Sequence, residues 1–495
     1  MNGISAGALG NVLLPEILLT GFALISAVLG VLRPGRRPDL YRWIAVITLL
    51  AAVAACGFTL HAMRNIATGV AVVAWNGGLI VDHFSLYVTV TVCAFSLVTC
   101  LSSDTYLRRI PSRSAGFFSI VLLVTAAISA LAAERDMVTF FVTLEVVIVG
   151  LTALHAMIKA DDLGAEAAWK YMVEGAVASA MVLDGLALLY GITGSTSLNA
   201  VSHALTRAPA TGTLGIVLVL LGLTFPLGVA PLRQWLPRVG DAAPATVAGF
   251  AIAMGTTAGA VAWLRFGVSG LGLSVGPWIG LTAVLAAIAL VQATFSALRE
   301  VRVTRLVGAL ASAQAALLLL AVISFGPGAA DPNAQGATAF LFSLSIFGAG
   351  LLATFIVLGI LQAARLPDTF GDYRGLGHRS PRAALLLAVA LAALLGAPPM
   401  AGFLARFFVL ESALDAGYAW VAALGVAAIA VVAIPAVRLI ASMYADAGDD
   451  APFTMEASPR LTRIVAGACC AAAFLATVIA QPLLMLARGG AGPIP

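Results

Sequence analysis

The sequence predicts an all-α, polytopic membrane protein that crosses the bilayer as about fourteen helices. Of its 495 residues, 61% are apolar and only 10% are charged. Soluble domains carry roughly 25% charged residues, so this chain has too little polar surface to face water. Apolar runs of about 20 residues recur between short polar breaks, which is the spacing that a hydrocarbon core demands. Because no polar segment is long enough to form a soluble domain, we expect one membrane domain over residues 1–495.

Each apolar run defines one predicted span, with a length suited to a hydrocarbon core of ~30 Å. None shows the strict apolar–polar alternation of a transmembrane β-barrel strand. The predicted spans are 10–32, 43–63, 84–103, 115–133, 137–157, 167–191, 211–232, 246–265, 275–298, 303–324, 336–363, 383–413, 418–444 and 464–487.

The basic residues predict the topology, because lysine and arginine near helix ends favour the cytoplasm. Four arginines follow the first apolar run, which places the N-terminus outside and the first loop inside. Counting alternate loops from there puts most of the 27 basic residues inside. The outside loops then hold Arg64, Arg135, Arg207, Arg265 and Arg488. An even number of spans with both termini outside follows. Scarce lysine beside abundant alanine, glycine and arginine is typical of a GC-rich genome, so we expect a bacterial cytoplasmic (inner) membrane.

Prolines at membrane depth interrupt two of the predicted spans, and these are Pro226, Pro231, Pro398 and Pro399. Proline removes a backbone donor and clashes with the preceding turn. In lipid, such a break is tolerated only where protein or a water-filled cavity satisfies the freed groups. The two breaks fall at matching places in two five-helix blocks, which predicts inverted repeats over about 115–265 and 275–444. A simple proline kink in each helix is the alternative.

Charged side chains inside the spans are candidate functional groups, because each costs at least ~2.5–3.5 kcal/mol at the bilayer centre. Glu145 lies mid-span with no opposite charge on its own helix, so its partner is expected on another helix. Lys170 opens the next span with Glu174 one turn further on, and such a pair can exchange a proton when a third charge approaches. A static ion pair that fixes helix register is the alternative. Asp184 lies about 15 Å further along the same helix, near the outer interface.

Arg406 and Glu411 follow the second proline break. An arginine keeps its proton in a protein, so Arg406 can hold water and tune Glu411 but cannot relay protons. Glu16, in the first span, is interpreted as a helix N-terminal charge or a subunit contact. The five cysteines lie in apolar runs and are expected to be small core residues, and neither they nor the histidines have the spacing of a metal, haem or iron–sulfur site.

Five segments resemble the antiporter-like membrane subunits of respiratory complex I, with subunit N (subunit 2 in mitochondria) as the nearest match. They are FFVTLEVVIVGLTAL, EAAWKYMVEGAVASAMVLDGLALLYGITGSTSL, LTFPLGVAPLRQWLPRVGDAAPATVAGF, DYRGLGHRSPRAALLLAVALAALLGAPPMAGFLARFFVLESAL and VRLIASMY. The resemblance covers nearly the whole chain. It implies fourteen helices, two inverted five-helix repeats with broken helices, and a hydrated proton path lined by a glutamate–lysine pair and further lysines. Glu145 falls on the glutamate of that pair and Lys170 on its lysine.

The sequence departs from the family at three lysine positions. The broken-helix lysine aligns with Pro226, a lysine of the following helix aligns with Thr257, and Arg406 replaces the terminal lysine. Proline and threonine do not titrate, and arginine stays charged, so the central half-channel lacks its usual switching groups.

The resemblance implies a membrane-arm subunit of a complex-I-like NADH-quinone oxidoreductase that contributes to redox-coupled proton translocation. This chain would hold no cofactor itself, and NADH, FMN, iron–sulfur clusters and quinone would belong to partner subunits. Its expected surroundings are other membrane-arm subunits and the lipid bilayer, without nucleic acid. Two alternatives stay open: a non-pumping scaffold of such a complex, or a subunit of a cation/proton antiporter, membrane hydrogenase or inorganic-carbon uptake complex.

Overall fold

The computed structural model is almost entirely helical over the residues that it describes. These are 13–32, 38–64, 71–74, 77–107, 113–157, 162–205, 209–271, 276–324, 335–398, 400–446, 459–478 and 480–491. The helices are α1 (Leu14–Leu32), α2 (Pro38–Arg64), α3 (His83–Ser102), α4 (Asp104–Leu107), α5 (Ser114–Leu131), α6 (Met137–His155), α7 (Asp162–Thr193), α8 (Asn199–Ala204), α9 (Pro209–Leu227), α10 (Trp235–Ala242), α11 (Ala245–Arg265), α12 (Gly276–Arg299), α13 (Val303–Ile323), α14 (Gln335–Ala363), α15 (Leu376–Arg379), α16 (Pro381–Leu395), α17 (Ala401–Asp415), α18 (Ala419–Met443), α19 (Arg460–Val478) and α20 (Ala480–Gly490).

The helices have the length and composition of membrane spans. Within the described ranges, 12 of them are long and apolar enough to cross a bilayer, and α19 with α20 passes the same test as a pair. This confirms the predicted polytopic helical architecture. The predicted span 383–413 consists of two helices, α16 and α17, with a break between them. The total of fourteen spans, the two repeats and the placement of both termini outside stay predictions, and residues 1–12 and 492–495 lie outside the described residues.

Helices α11 and α13 form the centre of the molecule. Every residue of α11 and nearly every residue of α13 is buried. A helix that is apolar all round is stable only inside a large protein or a membrane, and these two are enclosed by the others. Gly259 allows α9 to pack closely against α11, since a Cβ there would lie 2.3 Å from the backbone nitrogen of Leu227. The five cysteines are free, and all but Cys469 are buried, as expected of small core residues.

The peripheral helices expose large apolar side chains. Examples are Leu24 on α1, Trp169 on α7, Phe295 on α12 and Trp420 on α18, each more than half exposed. A soluble monomer rarely exposes so much apolar surface, which marks contact with lipid or with a neighbouring subunit.

A short β-hairpin departs from the purely helical expectation. Its strands, β1 (Ala71–Ala74) and β2 (Leu79–Asp82), pair antiparallel. Asp82 ends β2 and caps α3, because its carboxylate accepts a hydrogen bond from the backbone N–H of Ser85. The hairpin therefore fixes the position of Asp82 at the start of a buried helix.

Candidate functional site

The break after α9 is a Schellman motif centred on Gly228. Gly228 has a φ of +74°, a left-handed conformation that favours glycine. Its N–H donates to the carbonyl of Phe225 (2.9 Å), and the N–H of Val229 donates to that of Thr224 (3.0 Å). These are the two reversed hydrogen bonds that close a helix C-terminus. Pro226 lies inside the last turn of α9, so the interruption begins at the glycine and not at this proline.

The break after α16 repeats the same motif at Gly396. Its φ is +63°, its N–H donates to Ala393 (3.1 Å), and the N–H of Ala397 donates to Ala392 (3.0 Å). A proline follows each glycine, Pro231 in the first break and Pro398 in the second. Pro399 lies outside the described residues. The two breaks are thus built alike, while the repeats themselves stay a prediction.

Arg406 completes the second break. The reversed hydrogen bonds of this motif satisfy two of the last carbonyl groups of α16. The Arg406 guanidinium donates to the next two, the carbonyls of Leu394 (3.0 Å) and Leu395. Its Nε also donates to the side-chain oxygen of Gln314 (3.1 Å). A cation at a helix C-terminus is favoured by the helix dipole. Arg406 is therefore a buried, fully engaged charge.

Helix α13 contacts both breaks. Ser312 donates to the carbonyl of Gly228 (2.9 Å), while Gln314 accepts from Arg406 and donates to Ser343 (3.2 Å). Residues two apart on a helix point to nearly opposite sides. One central helix thus joins the two interruptions by side-chain hydrogen bonds.

An aromatic cluster lies at the first break, next to buried polar atoms. Tyr171 packs between His155, Phe225 and Trp235 with ring centroids 5.0, 5.0 and 5.1 Å away. Trp235 also donates its indole N–H to the carbonyl of Phe225 (2.8 Å). Among the described residues, neither the Tyr171 hydroxyl nor the ring nitrogens of His155 have a hydrogen bond of normal geometry.

Further buried polar atoms without a partner among the described residues lie along the contact between α6 and α7. They include Oε1 of Glu145 and the hydroxyl of Ser179. A Cβ on Gly175 would meet Ile148 at 2.9 Å, and the antiparallel register set by this contact puts Glu145 at the level of Ala178, next to Ser179. Buried polar groups in native proteins are almost always hydrogen-bonded, and water is the usual partner where the protein offers none.

The contact between Glu145 and Lys170 that the resemblance implies is absent among the described residues. Lys170 pairs with Glu166, one turn before it, and its side chain is 45% exposed. Glu145 is half-buried and forms no ion pair with another described residue. Glu174 is half-buried and lies on the turn next to Gly175.

Two other predicted site residues lie on exposed faces. Asp184 is exposed near the far end of α7. Glu411 is exposed on α17, whereas Arg406 on the same helix is only 9% exposed and faces the break. The structure therefore does not bring Arg406 and Glu411 together. Five residues along a helix separate side chains by well over a right angle, which explains why they diverge.

Thr257, at a family lysine position, is buried and donates its hydroxyl to the carbonyl of Ala253 (2.7 Å) in its own helix. The neighbouring Thr256 hydroxyl is buried without a partner among the described residues. The threonine that replaces the lysine is thus satisfied internally, and its neighbour is the residue available to water.

Sequence reasoning missed a buried ion pair near the predicted outer side. Arg265 was expected in an outside loop, but it ends α11, is fully buried and pairs with Asp82 (2.7 Å). It also donates to the carbonyl of Ala132 (2.5 Å). Arg265 does not lie in a loop, because the helical span continues to Leu271 and the guanidinium is buried in the protein. The signal available was Asp82, a second charge at a span end.

A buried carboxylic acid and a second polar contact accompany this pair. Glu134 lies in the turn between α5 and α6, and burial raises its pKa from 4.5 to about 8, although a hydrogen bond from Thr139 opposes the shift. Glu16 on α1 accepts a hydrogen bond from Ser129 (2.8 Å), which lies 2.6 Å from Thr89. Glu16 is thus a contact between α1 and α5 within this chain.

The comparisons with known proteins settle the family. A family model described as "NADH:quinone oxidoreductase/Mrp antiporter, TM" matches residues 134–431. The chain belongs to this family. The matched region contains both helix breaks and the aromatic cluster.

Individual members of the family match over nearly the whole chain. NADH-quinone oxidoreductase subunit N of Trichlorobacter lovleyi is 27% identical over 444 residues, 89% of this chain and 88% of that relative. A chain of respiratory complex I from Thermus thermophilus, solved with bound aureothin, is 26% identical with a TM-score of 0.76 and covers 96% of this chain and 100% of its own length. A chain of the Mrp complex from a Dietzia species has a TM-score of 0.83, covers 97% of each chain and is 20% identical, which shows the fold alone.

Proposed function

We propose that this chain is the antiporter-like subunit N of a complex-I-like NADH-quinone oxidoreductase and that it contributes to redox-coupled proton translocation. Sequence identity supports complex I over the Mrp complex, 26% against 20%, although the TM-score is higher for the latter. Fold similarity alone does not identify a function. NADH, FMN, iron–sulfur clusters and quinone would belong to partner subunits, and the chain would lie in a bacterial cytoplasmic membrane.

The observation that carries the translocation proposal is the group of buried polar atoms around the first break. Glu145, Ser179, Tyr171, His155 and Thr256 each present a buried atom without a partner among the described residues. Water bridging such atoms forms a chain along which protons move between carboxylates and imidazole. Glu145 is the proton-binding carboxylate of this path, and Glu174 lies about one turn further along the facing helix.

The second break plays a different role in this proposal. Arg406 cannot release its proton and is held by Gln314 and by the backbone of α16. It acts as a fixed positive charge that sets the electrostatic potential at the midplane. Proton exchange is then confined to the first break, because Arg406 offers no titratable group at the second.

The scaffold function is the second candidate, and the pairing of Lys170 favours it. A lysine that pairs with Glu166 on an exposed face does not sit in the buried path. Together with the absence of lysine at positions 226 and 257, this pairing predicts a subunit that holds its neighbours together without moving protons. Introducing Thr257→Lys should raise the number of protons moved per electron if a path exists, and change nothing in a scaffold.

Co-purification tests membership of a redox complex. We expect the affinity-tagged chain, extracted from its native membrane in mild detergent, to carry flavin and iron–sulfur proteins and to support NADH oxidation by quinone. Mass spectrometry identifies the subunits, and a preparation from the untagged strain is the control. Recovery with membrane subunits alone, without flavin, iron or NADH oxidation, would favour a cation/proton antiporter.

A further inference from the structure

A polar cavity lies at the end of the molecule that is predicted to face the cytoplasm, beyond the aromatic cluster. Its volume is about 360 Å³, and it is open to the surface. The residues that line it come from the segment after the first break and from the ends of α12 and α13, and they are Arg233, Gln234, Pro237, Gln292, Glu300 and Arg305. Trp235, between these residues in sequence, points instead into the aromatic cluster. The cavity is therefore separate from the proposed proton path.

Arg233 is a buried cation that lines this cavity. The residue is 6% exposed, and its Nη1 is buried without a hydrogen-bond partner among the described residues. Burial lowers the pKa of Arg233, while the nearby Glu300 carboxylate acts in the opposite direction. Arginine nevertheless stays charged in proteins, so the group needs an anion.

The remaining lining residues suit an anion that is bulkier than a single carboxylate. Two guanidinium groups face one carboxylate, Glu300, which receives a hydrogen bond from Ser296 (3.4 Å). The amides of Gln234 and Gln292 add neutral donors, because either end of an amide can turn toward a ligand. The amide oxygen of Gln292 is buried without a hydrogen-bond partner among the described residues.

We propose that this cavity binds a phosphate-type oxyanion between Arg233 and Arg305. Guanidinium groups bind phosphate by paired N–H donors, and basic pockets on the cytoplasmic side of membrane proteins bind anionic headgroups. The same chemistry fits a free phosphate and the headgroup of an anionic phospholipid. A metal cation does not fit, because two of the three charged side chains that line the cavity among the described residues are positive.

Two binding measurements on the purified full chain distinguish the sources. One uses radiolabelled inorganic phosphate in equilibrium dialysis. The other uses nanodiscs of phosphatidylcholine with and without fluorescent phosphatidylglycerol. We expect Arg233→Gln to weaken binding of the favoured probe at least tenfold. Arg438→Gln removes the same charge from the exposed face of α18 and should change binding less than twofold.

Each outcome decides the proposal. Binding of phosphatidylglycerol but not phosphate identifies a headgroup, and binding of phosphate identifies a soluble oxyanion. If Arg233→Gln does not fold, Gln292→Leu replaces it, with the same expected direction and a smaller loss. No binding of either probe to the unaltered chain would overturn the proposal, as would equal binding by Arg233→Gln and Arg438→Gln.

Discussion

Arg406 donates a hydrogen bond from its Nε to the side-chain oxygen of Gln314, 3.1 Å away, and thereby joins the second helix break to the central helix α13. Ser312, two residues earlier on α13, donates a hydrogen bond to the carbonyl of Gly228 in the first break. The two breaks therefore share one rigid support. A displacement at either break changes hydrogen bonds on the same helix, which gives the two breaks a physical means of coupling.

Replacing Arg406 by lysine tests whether its fixed geometry matters. A lysine keeps the charge, but its single ammonium cannot reach Gln314, Leu394 and Leu395 together. Hydrogen bonds to charged groups are worth about 1.5–3 kcal/mol each. We expect Arg406→Lys to lower the free energy of unfolding by about that amount, measured by denaturant or thermal unfolding in detergent. Arg438→Lys, on an exposed face, should change it by about 0.5 kcal/mol or less; equal effects would contradict the role assigned to Arg406.

The two break glycines should differ in their tolerance of alanine. A Cβ on Gly396 would lie 2.8 Å from the backbone of Gly402, whereas one on Gly228 would meet the side chain of Leu236, which can rotate away. Both glycines also have a left-handed backbone conformation, which costs an alanine about 1–2 kcal/mol. We expect Gly396→Ala to reduce thermal stability more than Gly228→Ala. Gly191→Ala, with open space around it, should be neutral or stabilising. The reverse order would show that these breaks are not fixed by the glycines.

Glu134 predicts a pH dependence of stability. Its pKa rises from 4.5 when unfolded to about 8 in the native protein, so the native state binds more protons between these values. Stability should therefore fall as the pH rises from about 4.5 to about 8. Glu134→Gln, which mimics the protonated acid, should flatten that decline in thermal unfolding measured across this range. Asp415→Asn, an exposed carboxylate, is the control. An undiminished slope in Glu134→Gln would assign the effect to other groups.

The architecture was accessible from the sequence because each span must satisfy its backbone internally and be apolar over a fixed length. The interruptions were also accessible, although the prolines were a guide and not the cause. Gly228 and Gly396 end the helices, and a proline follows each one. The sequence did not show which apolar residues are exposed, because residues that face lipid and residues in the core have the same composition.

The partners of the charged residues were not accessible from the sequence. The resemblance predicts that Lys170 belongs with Glu145, but Glu166 on its own helix is nearer and takes the ammonium. His155 and Tyr171 were missed because a histidine at a helix end and a tyrosine in a span are common features of any core. Their importance depends on ring contacts and on unpartnered atoms, which arise from packing between helices that are distant in sequence.

The most direct test of the account measures protons moved per electron. The complex containing Glu145→Gln is reconstituted into liposomes beside the unaltered complex and the exposed-carboxylate control Asp415→Asn, and proton uptake is followed during NADH oxidation by quinone. We predict fewer protons per electron for Glu145→Gln and an unchanged ratio for Asp415→Asn. An unchanged ratio in a fully assembled Glu145→Gln complex would contradict a proton path through this subunit.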